Sequence, residues 1–198
     1  MAHHPLNRQK FIQDQLTESA ETKKKMIESC SGDILKAADA ILRAYSGKKK
    51  VLLCGNGGSA ADSQHIATEL VIRMSVPNRP ALPAIALTTD TSMITAGGND
   101  IGFENIFARQ VEAHAQPGDV LIAISTSGKS ENINRAVREA KSRGLSVLGF
   151  LGKDGGTCKA LVDIPIVIPS NDTQRIQEGH ITVAHILCGI VETELFGS

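Results

Sequence analysis

No charge of one sign dominates this sequence. Lys plus Arg number 21 and Asp plus Glu number 21 in 198 residues, so nothing pulls the chain as a whole toward nucleic acid or an anionic membrane surface. Any anion must be bound locally. No apolar run reaches the roughly 18 to 20 residues of a membrane span, and the opening "MAHHPLNRQK" has no apolar stretch of the kind found in signal peptides. A cytoplasmic protein is expected, with no nucleic-acid partner and no membrane association. Cysteine is sparse and lacks metal-finger spacing: Cys30, Cys54, Cys158 and Cys188 each lie in or beside an apolar segment, which predicts reduced core thiols. Repeats and low-complexity segments are missing as well.

What is present fits one compact domain with a helical extension. Residues 6 to about 46 carry Phe11, Ile12, Leu16, Met26, Ile27, Ile34, Leu35, Ala38, Ile41 and Leu42 at helical spacing. "SGD" at 31 to 33 reads as a break and cap, so two N-terminal helices are expected. Beyond residue 46 the pattern changes to short apolar runs, each closed by Gly or Ser turns: "KVLLCGNGG", "PAIALTTD", "DVLIAISTSG", "LSVLGFLGKDGG" and "IPIVIPSND". Helix-period stretches separate them, which argues for an α/β three-layer sandwich around a five-stranded parallel sheet. A last helix is predicted over about 173 to 195. The division expected is 1–46 for oligomerisation and 47–198 for ligand binding.

Ligands of an open parallel sheet bind beyond the carboxyl ends of its strands, and two Gly/Ser-rich loops fall there. "GNGGS" at 55 to 59 matches neither a P-loop nor a dinucleotide fingerprint; a plain strand-to-helix turn explains it as well as an anion site does. "STSGKS" at 125 to 130 offers four hydroxyls and the amides of a helix start, which suit a phosphate monoester. An N-cap would need only one hydroxyl.

Directly after the first loop, Asp62, His65 and Glu69 occupy neighbouring positions on one helix face. Such a face can hold a metal or move a proton, though it also describes an ordinary surface charge pair. The last helix adds "RIQEGHITVAHI" with Gln177, Glu178, His180 and His185. Gln177 and His185, eight residues apart, point within ~80° of each other, and His180 points away from His185. The apolar neighbours of His185 predict that it is partly buried. Two histidines, a carboxylate and an amide oxygen could bind a divalent ion such as zinc.

"CGNGGSAADSQHIATEL", "ALTTDTSMITAGGNDIGFENIFARQV", "GDVLIAISTSGKSENI", "GFLGKDGG" and "RIQEGHITVAHILCGIVE", in this order and along almost the whole chain, resemble the bacterial phosphoheptose isomerases of the sugar isomerase (SIS) family. The resemblance implies a flavodoxin-like SIS fold and a homotetramer. It implies isomerisation of sedoheptulose 7-phosphate to D-glycero-D-manno-heptose 7-phosphate, a step toward the heptoses of lipopolysaccharide. One zinc ion per subunit is implied, with His65, Glu69, Gln177 and His185 matching the family's metal ligands and catalytic groups. Asn56, Gly57, Gly58, Asn99, Asp100, Ser125, Thr126, Ser127 and Ser130 match its substrate contacts. Gln174 stands where some relatives have an acid before the arginine, which leaves the role of an acid there open.

Moving a proton between C1 and C2 through an enediolate needs a base for the carbon-bound proton and an acid at the oxygen. Glu69 is expected as the base and His185 as the acid, while the sequence leaves open whether Glu69 is base, ligand or both. The resemblance also admits a non-catalytic SIS module, either a sugar-phosphate sensor or a partner of the replication initiator protein. The relative of the latter kind lacks the acid and histidine of the site, whereas Glu69 and His185 are both here. Etherases and hexose-phosphate isomerases of the family usually have longer or doubled domains.

Overall fold

The computed structural model of the chain describes residues 6–197, so the start of the segment tested for a signal peptide lies outside the described residues. One helix, α1 (Arg8–Ser46), fills the N-terminal region, capped by the Asn7 side chain, which accepts from the Lys10 amide. The break expected at "SGD" does not occur, and two helices are one. Ser31 Oγ donates back to the Ile27 carbonyl at 2.6 Å, so its hydroxyl serves the running helix instead of starting a new one. Asp33 pairs forward with Lys36 at 2.8 Å. Gly32 lowers helix propensity only modestly, and the buried stripe of Met26, Cys30, Ile34, Ala37, Ala38 and Ile41 continues across it.

Five strands follow: β1 (Val51–Gly55), β2 (Ala84–Ala86), β3 (Val120–Ser125), β4 (Ser146–Gly152) and β5 (Ile164–Ile168). They form one parallel sheet in the order β2-β1-β3-β4-β5. β1 and β3 are buried along their whole length, which is why they read as continuous apolar runs without alternation. Pro165, which cannot donate to a ladder, sits on the edge strand β5. The connecting helices are α2 (Gly58–Val71), α3 (Thr91–Asp100), α4 (Ile106–His114), α5 (Glu131–Ser142) and α6 (Thr173–Phe196).

Successive strand residues face opposite layers. Val51, Leu53, Ile122, Ile124, Leu148 and Phe150 join the core beneath α1, α2 and α6. Leu52, Cys54, Leu121, Ala123 and Val147 join the core beneath α4 and α5. The expected α/β three-layer sandwich is therefore the observed one. All four cysteines are buried and free. Among the described residues no helix is long and apolar enough to cross a membrane.

The strand order fixes where a ligand can enter. The winding reverses between β1 and β3, and such a switch point opens a crevice beyond the strand carboxyl ends. The loops "GNGGS" and "STSGKS" leave these two strands, so both border that crevice. At the opposite edge of the sheet Asp119, fully buried, accepts from the Lys50 and Gln116 amides and from Lys50 Nζ at 2.6 Å.

Candidate active site

β1 turns into α2 through Gly55, Asn56 and Gly57. Gly57 has φ 55°, a left-handed value that glycine adopts without penalty, and it leaves the start of α2 without a side-chain cap. α5 starts the same way: Ser130 holds the cap position, yet its hydroxyl makes no capping bond. By contrast, side chains of Asn7, Asp90 and Asp172 cap α1, α3 and α6. At α2 the Ser59 and Ala60 amides donate to the Asn56 and Gly57 carbonyls, and at α5 the Ile133 amide donates to Asn132 Oδ1. The foremost amides, those of Gly58, Glu131 and Asn132, remain to face the switch point, an environment that attracts a phosphate.

The two loops are tied together by a reciprocal amide pair. Asn56 Nδ2 donates to Asn132 Oδ1 at 3.0 Å, and Asn132 Nδ2 donates to Asn56 Oδ1 at 2.8 Å. Asn132 is buried and was missed by sequence reasoning, since no local pattern announces a partner 76 residues away. Ser125 Oγ accepts from the Gly128 amide at 3.1 Å and lies 3.5 Å from Ser130 Oγ. Ser127 Oγ accepts from the Lys129 amide at 3.3 Å, and Thr126 stands half-buried between Ser125 and Ser127. Gly128 has φ 63°, and a Cβ there would collide with the Gly155 carbonyl. The "GKDGG" turn after β4 therefore backs the "STSGKS" loop, and the Cys158 amide donates to the Gly128 carbonyl at 2.9 Å.

Further along α2, His65 and Glu69 meet one turn apart, Nε2 to Oε1, at 3.2 Å. α6 packs beside α2 and brings His185 Nε2 to 3.3 Å from His65 Nε2. The ligand atoms of His65, Glu69 and His185 all lie within 4.8 Å of one another. Two ligand atoms about 2.05 Å from a tetrahedral zinc are separated by about 3.3 Å, so the His65–Glu69 and His65–His185 separations already match two edges of such a site. Two nitrogens and one oxygen also match the donor preference of zinc.

His185 is exposed, which corrects the expectation of partial burial. Val183, Ala184, Leu187, Cys188 and Val191 make the buried stripe of α6, and residue 185 falls off it. His180 is the buried histidine; its Nε2 donates to the Leu151 carbonyl at 2.9 Å. Asp62, half-buried, is pushed above its ordinary pKa by burial, opposed by the nearby charge of His65.

Gln177 lies over the start of α2, where a Cβ on Gly58 would overlap its amide. It thus contacts the first loop, about two helical turns from His65. Asn99 and Asp100 end α3, exposed, with Asn99 Nδ2 donating to Asp100 Oδ1 at 2.6 Å. α3 packs on α4 and on the turn Phe103–Asn105. Asp100 lines a groove of about 540 Å³ between α3 and α4, with Met93, Ile101, Ile106 and Arg109. That groove is mainly apolar and holds none of the histidines.

The SIS domain family matches residues 16–152. A phosphoheptose isomerase of Trichlorobacter lovleyi is 53% identical over 189 residues, 96% of each chain. One of Clostridium acetobutylicum is 54% identical, over 94% of this chain and 96% of that one. Among solved structures, phosphoheptose isomerases of Neisseria gonorrhoeae and Francisella tularensis superpose with TM-scores of 0.89 and 0.91 at 39% and 37% identity. They cover 94% and 95% of this chain and 100% of theirs.

Proposed function

The chain belongs to the phosphoheptose isomerases of the SIS domain family, and from that premise we propose that it converts sedoheptulose 7-phosphate to D-glycero-D-manno-heptose 7-phosphate in lipopolysaccharide heptose precursor synthesis. It is an isomerase; the particular sugar and the pathway are the proposal. The observation that carries it is the meeting of His65, Glu69 and His185 on two helices, one of which starts at the switch-point crevice.

In this reading the phosphate rests on the "STSGKS" loop, held by Ser125, Thr126, Ser127 and Ser130 and by the free amides of α5. Asn56, Gly57 and Gly58 bound the other wall. The reactive end of the extended sugar then lies toward His65, Glu69 and His185. Glu69 takes a proton from C1 of the ketose, and the released electron pair forms the C1–C2 double bond. His185 supplies a proton to the C2 oxygen. In the second half Glu69 returns its proton to C2, and the C1 hydroxyl gives its proton to His185, leaving an aldehyde at C1. His65 holds the Glu69 carboxylate through the 3.2 Å contact.

His65, Glu69 and His185 would hold one divalent ion, zinc by the donor set; Gln177, expected as a fourth ligand, lies over Gly58 about two helical turns from His65 and does not complete the set within one chain. When bound, the ion would supply Lewis-acid stabilisation of negative charge developing on the C1 and C2 oxygens. Asn99 and Asp100 are assigned to the substrate of a subunit-shared site. The assembly proposed is a cytoplasmic homotetramer, with residues 1–46 for oligomerisation and 47–198 for sugar-phosphate binding.

Incubating the protein with sedoheptulose 7-phosphate and, separately, fructose 6-phosphate, and following aldose formation by NMR, tests the reading. Aldose from the heptulose alone supports it. Turnover of the hexose with none of the heptulose rejects the sugar assignment, and no turnover of either rejects the enzyme.

A further inference from the structure

A second tie joins α2 to α6 beyond the three converging side chains. Arg79, in the connection "RMSVPNRP" after α2, has a side chain only 1% exposed, and Glu192 of α6 only 3%. One Glu192 oxygen accepts from Arg79 Nε at 2.6 Å and from the Met74 amide at 3.0 Å. The other accepts from the amides of Ser75 and Val76 at 2.6 and 2.9 Å. Four donors therefore surround one carboxylate, and its pKa reflects them: burial raises it, but Arg79 and the three amides outweigh burial and bring it down to about 2.

Both terminal nitrogens of Arg79 are also engaged. Nη1 donates to the Pro80 carbonyl at 2.8 Å and Nη2 to the Glu69 carbonyl at 2.7 Å. α2 ends at Val71, so the Glu69 carbonyl is one of the last four, which lack an intrahelical partner. The guanidinium also lies over the Phe196 ring, 5.7 Å from its centroid. On α6, Glu192 is seven residues past His185 and so projects within ~20° of the same direction. The face of α6 that presents His185 to His65 presents Glu192, two turns on, to Arg79 and through it to the backbone of Glu69.

A buried ion pair is weak evidence for stability, because apolar residues of similar volume often serve packing as well. What this pair supplies is a fixed register. We infer that Arg79 and Glu192 are positioning residues that set the spacing of Glu69 and His185 by locking the end of α2 against α6. This inference rests on the proposed roles of Glu69 and His185. Neither Arg79 nor Glu192 touches the sugar in that reading.

The test uses R79K and E192Q in the full-length protein. Lysine keeps the charge of Arg79 but not the fork that reaches Glu192, Glu69 and Pro80 together. K50M serves as the comparison, because it breaks the buried Lys50–Asp119 pair at the far edge of the sheet. For each, thermal midpoint, zinc affinity by competition with a chromophoric chelator, and kcat and KM for sedoheptulose 7-phosphate are measured on folded protein. R79K and E192Q are expected to weaken zinc binding by roughly 10- to 100-fold, the usual effect of losing an outer partner of a metal site. They should also lower kcat about 10-fold or more with KM within about twofold. K50M should lower the thermal midpoint alone. Wild-type zinc affinity and kcat in R79K and E192Q, beside an inactive E69Q, overturn the inference and leave the site reading standing. Equal losses in K50M also overturn it, by showing a general effect of stability. A fully active E69Q overturns the site reading and the inference together.

Discussion

His65 and His185 face each other nitrogen to nitrogen at 3.3 Å, across 120 residues of sequence. With neutral rings, a proton on one nitrogen would leave the other as acceptor; with both nitrogens unprotonated, two lone pairs converge on one point beside the Glu69 carboxylate. The second arrangement is that of a metal site. Protein purified without chelator is therefore expected to contain about one zinc per chain, to lose activity on chelation and to regain it with zinc. Glu69→Gln should lower kcat at least ~100-fold, the scale of removing a positioned base. His185→Asn should do the same and also weaken zinc binding. Full activity in a metal-free preparation would reject the ion and leave the Glu69–His185 proton pair standing.

The uncapped start of α5 leads to a prediction on binding rather than turnover. Ser127→Ala and Ser130→Ala each remove a hydroxyl from the proposed phosphate cradle without disturbing a cap, because Ser130 makes no capping bond. KM for the sugar phosphate should rise about 10-fold, the effect of losing a hydrogen bond to a charged group, with a smaller change in kcat. Steady-state kinetics of both variants decide the matter. An unchanged KM in both would show the loop to be only a helix start.

The sheet was legible because its strands are buried on both faces, so β1 and β3 appear as unbroken apolar runs. The Gly and Ser residues that close them mark the carboxyl edge. The helix faces were legible in part. His65 and Glu69 announced their contact by spacing. For His185, neighbours in sequence were mistaken for neighbours in space: Val183 and Ala184 turn inward while 185 and 186 do not. "SGD" misled because serine can satisfy either a cap or a running helix, and tertiary packing of Cys30 and Ile34 chose the latter. Asn132 and Arg79 carried no local signal, since their meaning lies in partners 76 and 113 residues away. Glu192 carried none either: seven residues past His185, it lies off the apolar stripe of α6, and its burial comes from Arg79 and the amides of residues 74 to 76.

The free half of α1 supports the proposed assembly. Phe11, Ile12 and Leu16 are 50%, 58% and 68% exposed, on a helix whose later turns cover the sheet. Nothing in the described part of the chain shields these three from water, and a stripe of that kind is the usual mark of a subunit contact. Replacing all three by Ser, which leaves the buried Met26 and Cys30 intact, should convert a tetramer to smaller species in sedimentation at micromolar concentration. Activity should fall with it if sites are shared between subunits. A triple variant that stays tetrameric, or a parent protein that sediments as an active monomer, would remove this support.

His180 makes the chain acid-sensitive in a window that its neighbours define. Burial lowers its pKa to about 4, opposed by its bond to the Leu151 carbonyl, and its ring packs 5.9 Å from that of Phe150. Its Nδ1 is buried with no partner, so a second proton there would find no acceptor. In the unfolded chain an ordinary histidine titrates near 6.5. Between about pH 6.5 and about pH 4 the unfolded state therefore binds a proton that the folded state does not, and stability falls as pH falls. The slope is about 1.4 kcal/mol per pH unit, or about 3 kcal/mol per chain across the window. Above pH 6.5 this contribution is fully present and flat. His180→Gln keeps a donor for the Leu151 carbonyl but cannot titrate, so it should lower stability at pH 7 while flattening the fall between pH 6.5 and pH 5, where the wild type loses about 2 kcal/mol. Urea unfolding of both proteins at pH 7, 6 and 5, at one protein concentration, measures the difference, and parallel pH profiles for the two would show that His180 is not the group responsible.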